Sequence, residues 1–395
     1  MRALWSLLFA GLVLVVCRDA SAYPWMIRHE YTGCATCHAD PSGGGLLTPY
    51  GRAQSEILLR TYYGSEKPED RDPGALGDFA FGAMTLPKQL LLQGDVRGLL
   101  LHAVPESGPS DSRLVHMQSD LAAQLTLDRF RANVSLGYMH KGAAPAWLLG
   151  GKEDHHLVSR HHWLGLDLGA ENQFLLRLGR MNLPYGLRSI EHTMWVRSAT
   201  RSDINAAQQH GVALAYGGEK VRAELMAIAG NFQVSPDVFR DRGYAGYFEW
   251  APTPRLAVGV SSLATHVDRD IQVGAGLFRQ AHGLFGRYSP KKVLVISAEA
   301  DALGEHETGK PGRVGMAAMV SADVEPTQGL HLLTTAEIKD SSFRDQGASL
   351  GLWGGAAWFF APHADLRADI VWRSEAVGAN RQSSLALLGQ LHFFL

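Results

Sequence analysis

The chain has 395 residues, 46% of them hydrophobic and 19% charged, with 37 lysines and arginines against 39 aspartates and glutamates. A formal net charge of −2 lacks the basic excess of a nucleic-acid binder, and 43 glycines with few charges and no low-complexity tract argue against disorder. Beyond the N-terminus nothing reaches the ~18 consecutive apolar residues of a membrane helix, which excludes a helical inner-membrane protein and leaves two or three soluble domains or one large β-barrel.

In chain order, Arg2 precedes an apolar run from Leu4 to Val16 and then Ala20-Ser21-Ala22. This reads as a secretory signal peptide over residues 1–22 with an A-x-A cleavage site. Cys17 follows Val16 rather than a small residue, so a lipoprotein signal fits less well. Of the three cysteines, Cys34 and Cys37 then remain, in Cys34-Ala35-Thr36-Cys37-His38.

C-x-x-C-H is the attachment pattern of a c-type haem: both thiols add to vinyl groups, and the adjacent histidine reaches the iron from the same turn. Covalent attachment suits an exported protein, which could otherwise lose its haem to the medium. A thioredoxin-like redox pair needs a βαβ setting that is missing here. A structural zinc site wants about four ligands, and no second cysteine pair exists. A plain disulfide is compatible with an oxidising compartment. The histidine and the export signal together favour one covalently attached haem c, with Cys34 and Cys37 as anchors and His38 as iron ligand.

Around the motif, Asp40-Pro41-Ser42-Gly43-Gly44-Gly45 is turn-forming and lets backbone pass close to something flat. Ala53 to Tyr63 is expected to be a short amphipathic helix whose Ile57, Leu58 and Tyr62 cover the haem. Arg28 and Arg52 are candidate propionate partners, and Met84, His29 or Met26 candidate sixth ligands; thioether ligation would raise the potential. Residues 23–66 make up the expected cytochrome segment and 67–87 a linker.

From Lys88 the dominant period is two. Leu366, Ala368, Ile370 and Trp372 alternate with Arg367, Asp369, Val371 and Arg373; Leu330, Leu332 and Ile338 alternate with His331, Glu337 and Lys339; Leu225 alternates with Glu224 and Met226. A soluble sandwich would alternate likewise, so connection lengths decide. Sixteen strands are expected near 88–101, 113–127, 129–140, 156–168, 172–181, 210–216, 219–229, 243–251, 255–266, 271–288, 292–302, 313–324, 329–339, 348–360, 364–374 and 383–395. Short turns such as Gly217-Gly218 and Pro362-His363 alternate with longer stretches such as 141–155 and 182–209. Outer-membrane barrels are built this way, with an even strand count.

Tyr247, Trp250, Tyr288, Trp358, Phe359 and Phe360 gather beside the short turns, where an interfacial girdle belongs. Residues 88–395 are therefore expected to form an all-β transmembrane antiparallel barrel of about 16 strands, embedded in outer-membrane lipid. The apolar band of such a barrel is about 25 Å tall, which one haem cannot bridge as a wire. The useful place for the haem segment is as a small α/coil plug at the periplasmic mouth or inside the lumen.

These features resemble the fused monohaem cytochrome–porins of bacterial outer membranes, a family that includes iron oxidases. The resemblance rests on the C-x-x-C-H motif with Met26-Ile27-Arg28 before it and Leu47-Thr48-Pro49-Tyr50-Gly51-Arg52 after it. The barrel half is similar in architecture alone, with Gly179-Arg180 and Leu183-Pro184-Tyr185-Gly186-Leu187-Arg188 looking porin-like. The resemblance implies electron transfer from an extracellular redox substrate, such as ferrous iron, through the haem to periplasmic c-type cytochromes. The alternatives are a solute-conducting porin with a haem plug or sensor, outward electron transfer, and a soluble periplasmic cytochrome with a β-sandwich. Asp154-His155-His156 and His161-His162-Trp163 could bind metal, or be a solvated loop on the external side. Arg367, Asp369, Glu337 and Lys339 read as lumen charges that tune permeation, or as part of a cation path. Neither a nucleophile elbow nor a zinc-protease motif is present, so any enzymatic role is that of an oxidoreductase.

Overall fold

The computed structural model describes residues 23–63, 79–138, 157–189 and 191–395, apart from positions 192, 234, 345, 346 and 379. The expected signal peptide, most of the expected linker and the Asp154-His155-His156 cluster lie outside the described residues.

Sixteen antiparallel strands follow one another, each bonded to its chain neighbours. They are β1 (Leu90–Pro105), β2 (Asp111–Leu127), β3 (Phe130–Tyr138), β4 (Leu157–Val158 and His162–Leu168), β5 (Phe174–Met181), β6 (Gln209–Gly217), β7 (Val221–Gly230) and β8 (Arg242–Thr253). The second half comprises β9 (Leu256–Val267), β10 (Leu277–Lys291), β11 (Leu294–Glu307), β12 (Arg313–Thr327), β13 (Leu330–Asp340), β14 (Ser349–Ala361), β15 (Ala364–Val377) and β16 (Asn380–Phe394). β1 pairs with β16, from Asp95 opposite Phe394 to Pro105 opposite Ser384, so the sheet closes and has no free edge. All sixteen expected strands are present, most of them running further into the longer connections than periodicity alone indicates. One end of the barrel carries short turns, such as 328–329 and 362–363; the other carries longer connections, such as 182–208 and 231–241.

Alternation orients the wall. Leu284 is 66% exposed and Leu225 62% exposed, whereas their neighbours Phe285 and Glu224 are buried. The apolar side therefore faces outward and the charged side inward, as in an outer-membrane barrel. Trp250, Tyr288 and Trp358 lie on the outer face beside short turns, as expected for a girdle. Tyr247 and Phe359 do not: both are buried on the inner face. Their positions in the period-two pattern place them there, which proximity to a turn had masked.

β4 is interrupted. Ser159, Arg160 and His161 stand opposite only Ser135 and Leu136 of β3, because the register resumes at Val134↔His162 after Gly137↔Val158. The Ser135 hydroxyl accepts hydrogen bonds from the amides of Arg160 (3.1 Å) and His161 (2.8 Å). This extra residue is a bulge, and it turns Arg160 and His161, consecutive in sequence, both to the buried side.

The connection 182–208 folds inward instead of projecting outside. Tyr185 donates to Asp301 (2.7 Å), the Leu187 amide to Glu299 (2.9 Å) and the Trp195 amide to Glu337 (2.8 Å). A short helix, α2 (Trp195–Thr200), sits on β11, β12 and β13. Arg197 pairs with Glu299, and Arg367 with Glu191 (2.5 Å) and Asp369 (2.8 Å). Arg373 pairs with Glu337 (2.9 Å), and Lys339 lies 5.2 Å from the Trp195 ring. The inward charges expected to tune permeation thus hold this connection in place.

Residues 23–63 lie against the same inner face. Arg28 is fully buried, bonded to Glu325 (2.9 Å) and to Asp323 on β12. Arg287 of β10 donates to the Thr32 carbonyl (2.8 Å), and Arg222 of β7 to its hydroxyl (2.9 Å). Gln93 of β1 accepts from the Leu47 amide (2.6 Å). Near the short-turn end, the Thr61 amide donates to the Phe359 carbonyl (2.8 Å), and Gln328 donates to Ile57 and Arg60.

The helix expected at 53–63 begins earlier and ends sooner. Thr48 caps α1 (Pro49–Gln54), its hydroxyl accepting from the Gly51 amide (3.0 Å), and Pro49 takes the first position, where its missing N–H costs nothing. A wider π-type turn follows over Ser55–Leu59. The chain then straightens, because the barrel rim takes up the Thr61 amide.

Candidate functional site

Cys34, Cys37 and His38 share one helical turn: the amides of Cys37 (3.2 Å) and His38 (3.0 Å) both donate to the Cys34 carbonyl. A miniature hairpin follows, with His38 bridged to Leu47, Ala39 donating to Leu46 (2.9 Å) and Thr48 donating to Cys37 (2.9 Å). Gly43, Gly44 and Gly45 turn its tip, each with a positive φ of 84°, 77° and 63°, a region open to glycine at little cost. The tip is tied to the wall: Asp40 pairs with Arg177 (2.8 Å), the Ser42 hydroxyl donates to Glu224 (2.7 Å), and Asn182 donates to the Gly43 carbonyl (2.9 Å).

Above this hairpin a cavity of about 130 Å³ opens. Cys37, His38, Gly44, Gly45 and Leu47 form its floor. Its walls are inward groups of β1, β2 and β16 with Arg160 and His161 from the β4 bulge and Arg188, Ile204 and Asn205 from the connection. Burial pushes the His38 imidazole down to about 4, against small opposing effects of the Gly45 carbonyl and Asp40. The ring is therefore neutral at ordinary pH, with a lone pair to offer.

The residues present fit a covalently held haem on three observations. Cys34 and Cys37 are buried and unbridged. The buried His38 Nδ1 has no hydrogen-bond partner. Backbone crowds the motif so closely that a Cβ on Gly51 would collide with the Cys37 carbonyl, and one on Gly43 would come within 3.2 Å of the Cys34 sulfur. Arg188 lies 4.0 Å from that sulfur and 4.1 Å from the Tyr247 ring.

Several expected neighbours stand elsewhere. Arg28 is committed to β12, and Arg52 donates to the Leu92 carbonyl (2.5 Å) and packs 5.3 Å from the Phe79 ring. The cations that do line the cavity are Arg97, Arg160 and Arg188. Met84 is exposed, Met26 is buried against Leu59 and Phe359, and the His29 Nε2 lies 3.8 Å from Glu325; none of the three lines the cavity. Leu47 and Leu59 cover it in place of Ile57, Leu58 and Tyr62. The Tyr62 hydroxyl instead donates to the Glu56 carbonyl (2.5 Å).

The histidine run of β4 divides. His161 faces the cavity, while His162, on the outer side of the period, lies with its Nε2 2.8 Å from the Nε2 of His210. Among the described residues no three histidine, cysteine or acidic side chains converge as a metal-ion cluster. The inward face of His161 had one sequence signal, the run of polar residues Ser159 to His162 that breaks the alternation. Arg188 and Asn205 had none, since their connection reads as external.

No family model matches the chain, and no curated protein does. Among solved structures it is similar to outer-membrane expressed OmpT of Vibrio cholerae, at 12% identity and a TM-score of 0.58, over 78% of this chain and 99% of that one. It is also similar to an anion-selective porin from Comamonas acidovorans, at 16% identity and a TM-score of 0.58, over 78% and 99%. The outer membrane channel DcaP of Acinetobacter baumannii matches at 12% identity and a TM-score of 0.52, over 77% and 97%. At these identities the likeness is one of fold: a closed 16-strand antiparallel barrel of the porin kind.

Proposed function

We propose that this chain is an outer-membrane electron-transfer protein carrying one c-type haem inside a porin-like barrel. The observation that carries the reading is the C-x-x-C-H turn with unbridged thiols, facing a cavity enclosed by inward-facing barrel residues. Cys34 and Cys37 would anchor the ring and His38 would ligate the iron. When bound, the haem supplies a one-electron couple. Arg97, Arg160 and Arg188 would neutralise its propionates, and Leu47 and Leu59 would keep water from its edge. The barrel fold and its porin neighbours support an outer-membrane location, and the bonds from residues 23–63 to the inner face support their reading as a plug. The electron donor would be an extracellular redox substrate, with ferrous iron as the first to try, and the acceptor a periplasmic c-type cytochrome.

The test is an anaerobic visible spectrum of the detergent-extracted protein before and after ferrous iron, with dithionite as the control, in wild type and His38→Ala. Reduced c-haem bands raised by iron in the wild type and lost in the variant support the reading. Bands raised only by dithionite remove iron as donor, and no covalent haem at all overturns the reading.

A second reading, a solute-conducting porin whose haem segment is a plug or sensor, is favoured by the solved neighbours, which include an anion-selective porin and a channel. It predicts solute flux in proteoliposomes that survives His38→Ala. Against it stands the packing of residues 23–63 and 182–208 on the inner face of the wall, each tied by buried ion pairs.

A further inference from the structure

We infer that His161 supplies the second axial nitrogen to the haem iron, so that the cofactor is ligated once from the N-terminal segment and once from the barrel wall. The inference rests on the haem reading above. Three histidines line the cavity: His38, His161 and His392. His392 is held at both nitrogens, Nδ1 by Asp365 (2.8 Å) and Nε2 by Asp95 (3.4 Å). His161 is held at one.

Its tautomer follows from the neighbours. Asn182 donates its side-chain nitrogen to the Gly43 carbonyl (2.9 Å), so its oxygen is the acceptor that faces Gln208 (3.0 Å) and the His161 Nε2 (3.1 Å). Nε2 must therefore carry the proton, and the lone pair is on Nδ1. A metal-bound imidazole is held in this way, its second N–H given to an outer oxygen that fixes both tautomer and ring orientation. His161 Cε1 and Nδ1 lie 3.2 and 3.4 Å from the place a Gly45 Cβ would fill, at the glycine turn that lines the cavity together with His38. A side chain at 45 would occupy that space. The β4 bulge supplies the last element, because without its extra residue Arg160 and His161 could not both face inward.

Two imidazoles give a low-spin iron with a lower potential than a histidine–methionine pair, since thioether ligation raises it. The first measurement is the near-infrared magnetic circular dichroism of the ferric wild-type protein, which needs no variant. A bis-imidazole charge-transfer band supports the inference; a thioether band or a high-spin iron overturns it. His161→Ala should turn the iron high-spin and let the ferrous form bind carbon monoxide. His161→Met should raise the midpoint potential, and both should keep the wild-type amount of covalent haem in a pyridine haemochrome assay. An unchanged spectrum in His161→Ala overturns the inference while the haem reading stands. Absence of covalent haem from the wild type overturns both.

Discussion

Residues 23–63 and the connection 182–208 both lie inside the wall, and both meet charges that the strands point inward. In the connection those charges are consumed: Asp301, Glu299 and Glu337 accept from Tyr185, Leu187 and Trp195, and Arg197 closes on Glu299. The N-terminal segment uses equivalent pairs, Arg177 with Asp40 and Arg28 with Glu325, and also carries two thiols not joined as a disulfide and a His38 Nδ1 without a hydrogen-bond partner. Burial alone does not distinguish the two insertions. What separates them is chemistry: the N-terminal segment sets two thiols and an imidazole on one turn, and the connection carries no thiol.

The largest expected difference comes from Cys34→Ser with Cys37→Ser. All covalent haem should vanish from a stained gel while the barrel keeps its folded electrophoretic mobility; haem that persists, or a barrel that fails, breaks the comparison. Next come the two buried arginines. Arg177→Met strands Asp40 and Glu224, and Arg197→Met strands Glu299; breaking a buried pair costs about 3–5 kcal/mol. Limited proteolysis should open residues 23–63 in the first variant and 182–208 in the second, and cleavage at the same place in both would mean that the insertions form one unit. A charge on the outer wall, Leu284→Arg, should cost about 2–4 kcal/mol at the membrane midplane in lipid unfolding titrations and loosen neither insertion selectively.

The smallest effect is with pH. Burial pushes His29 down to about 4, with Arg28, His331 and Lys292 adding to it and Glu325 opposing. The folded state therefore refuses a proton that the undocked segment accepts below about 6.5. This part of the docking stability is complete above that pH and is lost as pH falls toward 4. Protease sensitivity of residues 23–63 should rise over that window, and less so in His29→Gln; identical profiles would assign the acid response to groups other than His29.

The wall was legible because each strand exposes one side and buries the other, so a period of two survives in single segments such as 364–374. The C-x-x-C-H motif was legible because its chemistry is contained in five residues. The break in β4 was not, since it depends on the Ser135 hydroxyl, 25 and 26 positions away, capturing two amides. The inward fold of 182–208 was equally hidden: its partners Glu299, Asp301 and Glu337 lie on β11 and β13, more than a hundred residues on. Assigning Arg28 to the propionates failed for the same reason, as Asp323 and Glu325 were invisible to local reading.

The pairing of β1 with β16 also orders events in time. The segment that binds Asp323, Glu325 and Phe359 emerges nearly three hundred residues before those partners, and contacts of such sequence separation form late. Its interior neighbours come together only as the last strand meets the first. Until that seam zips, residues 23–63 have no completed wall to dock against. Closure and docking are therefore coupled, because the wall that holds this segment is complete only when the strands furthest apart in sequence meet.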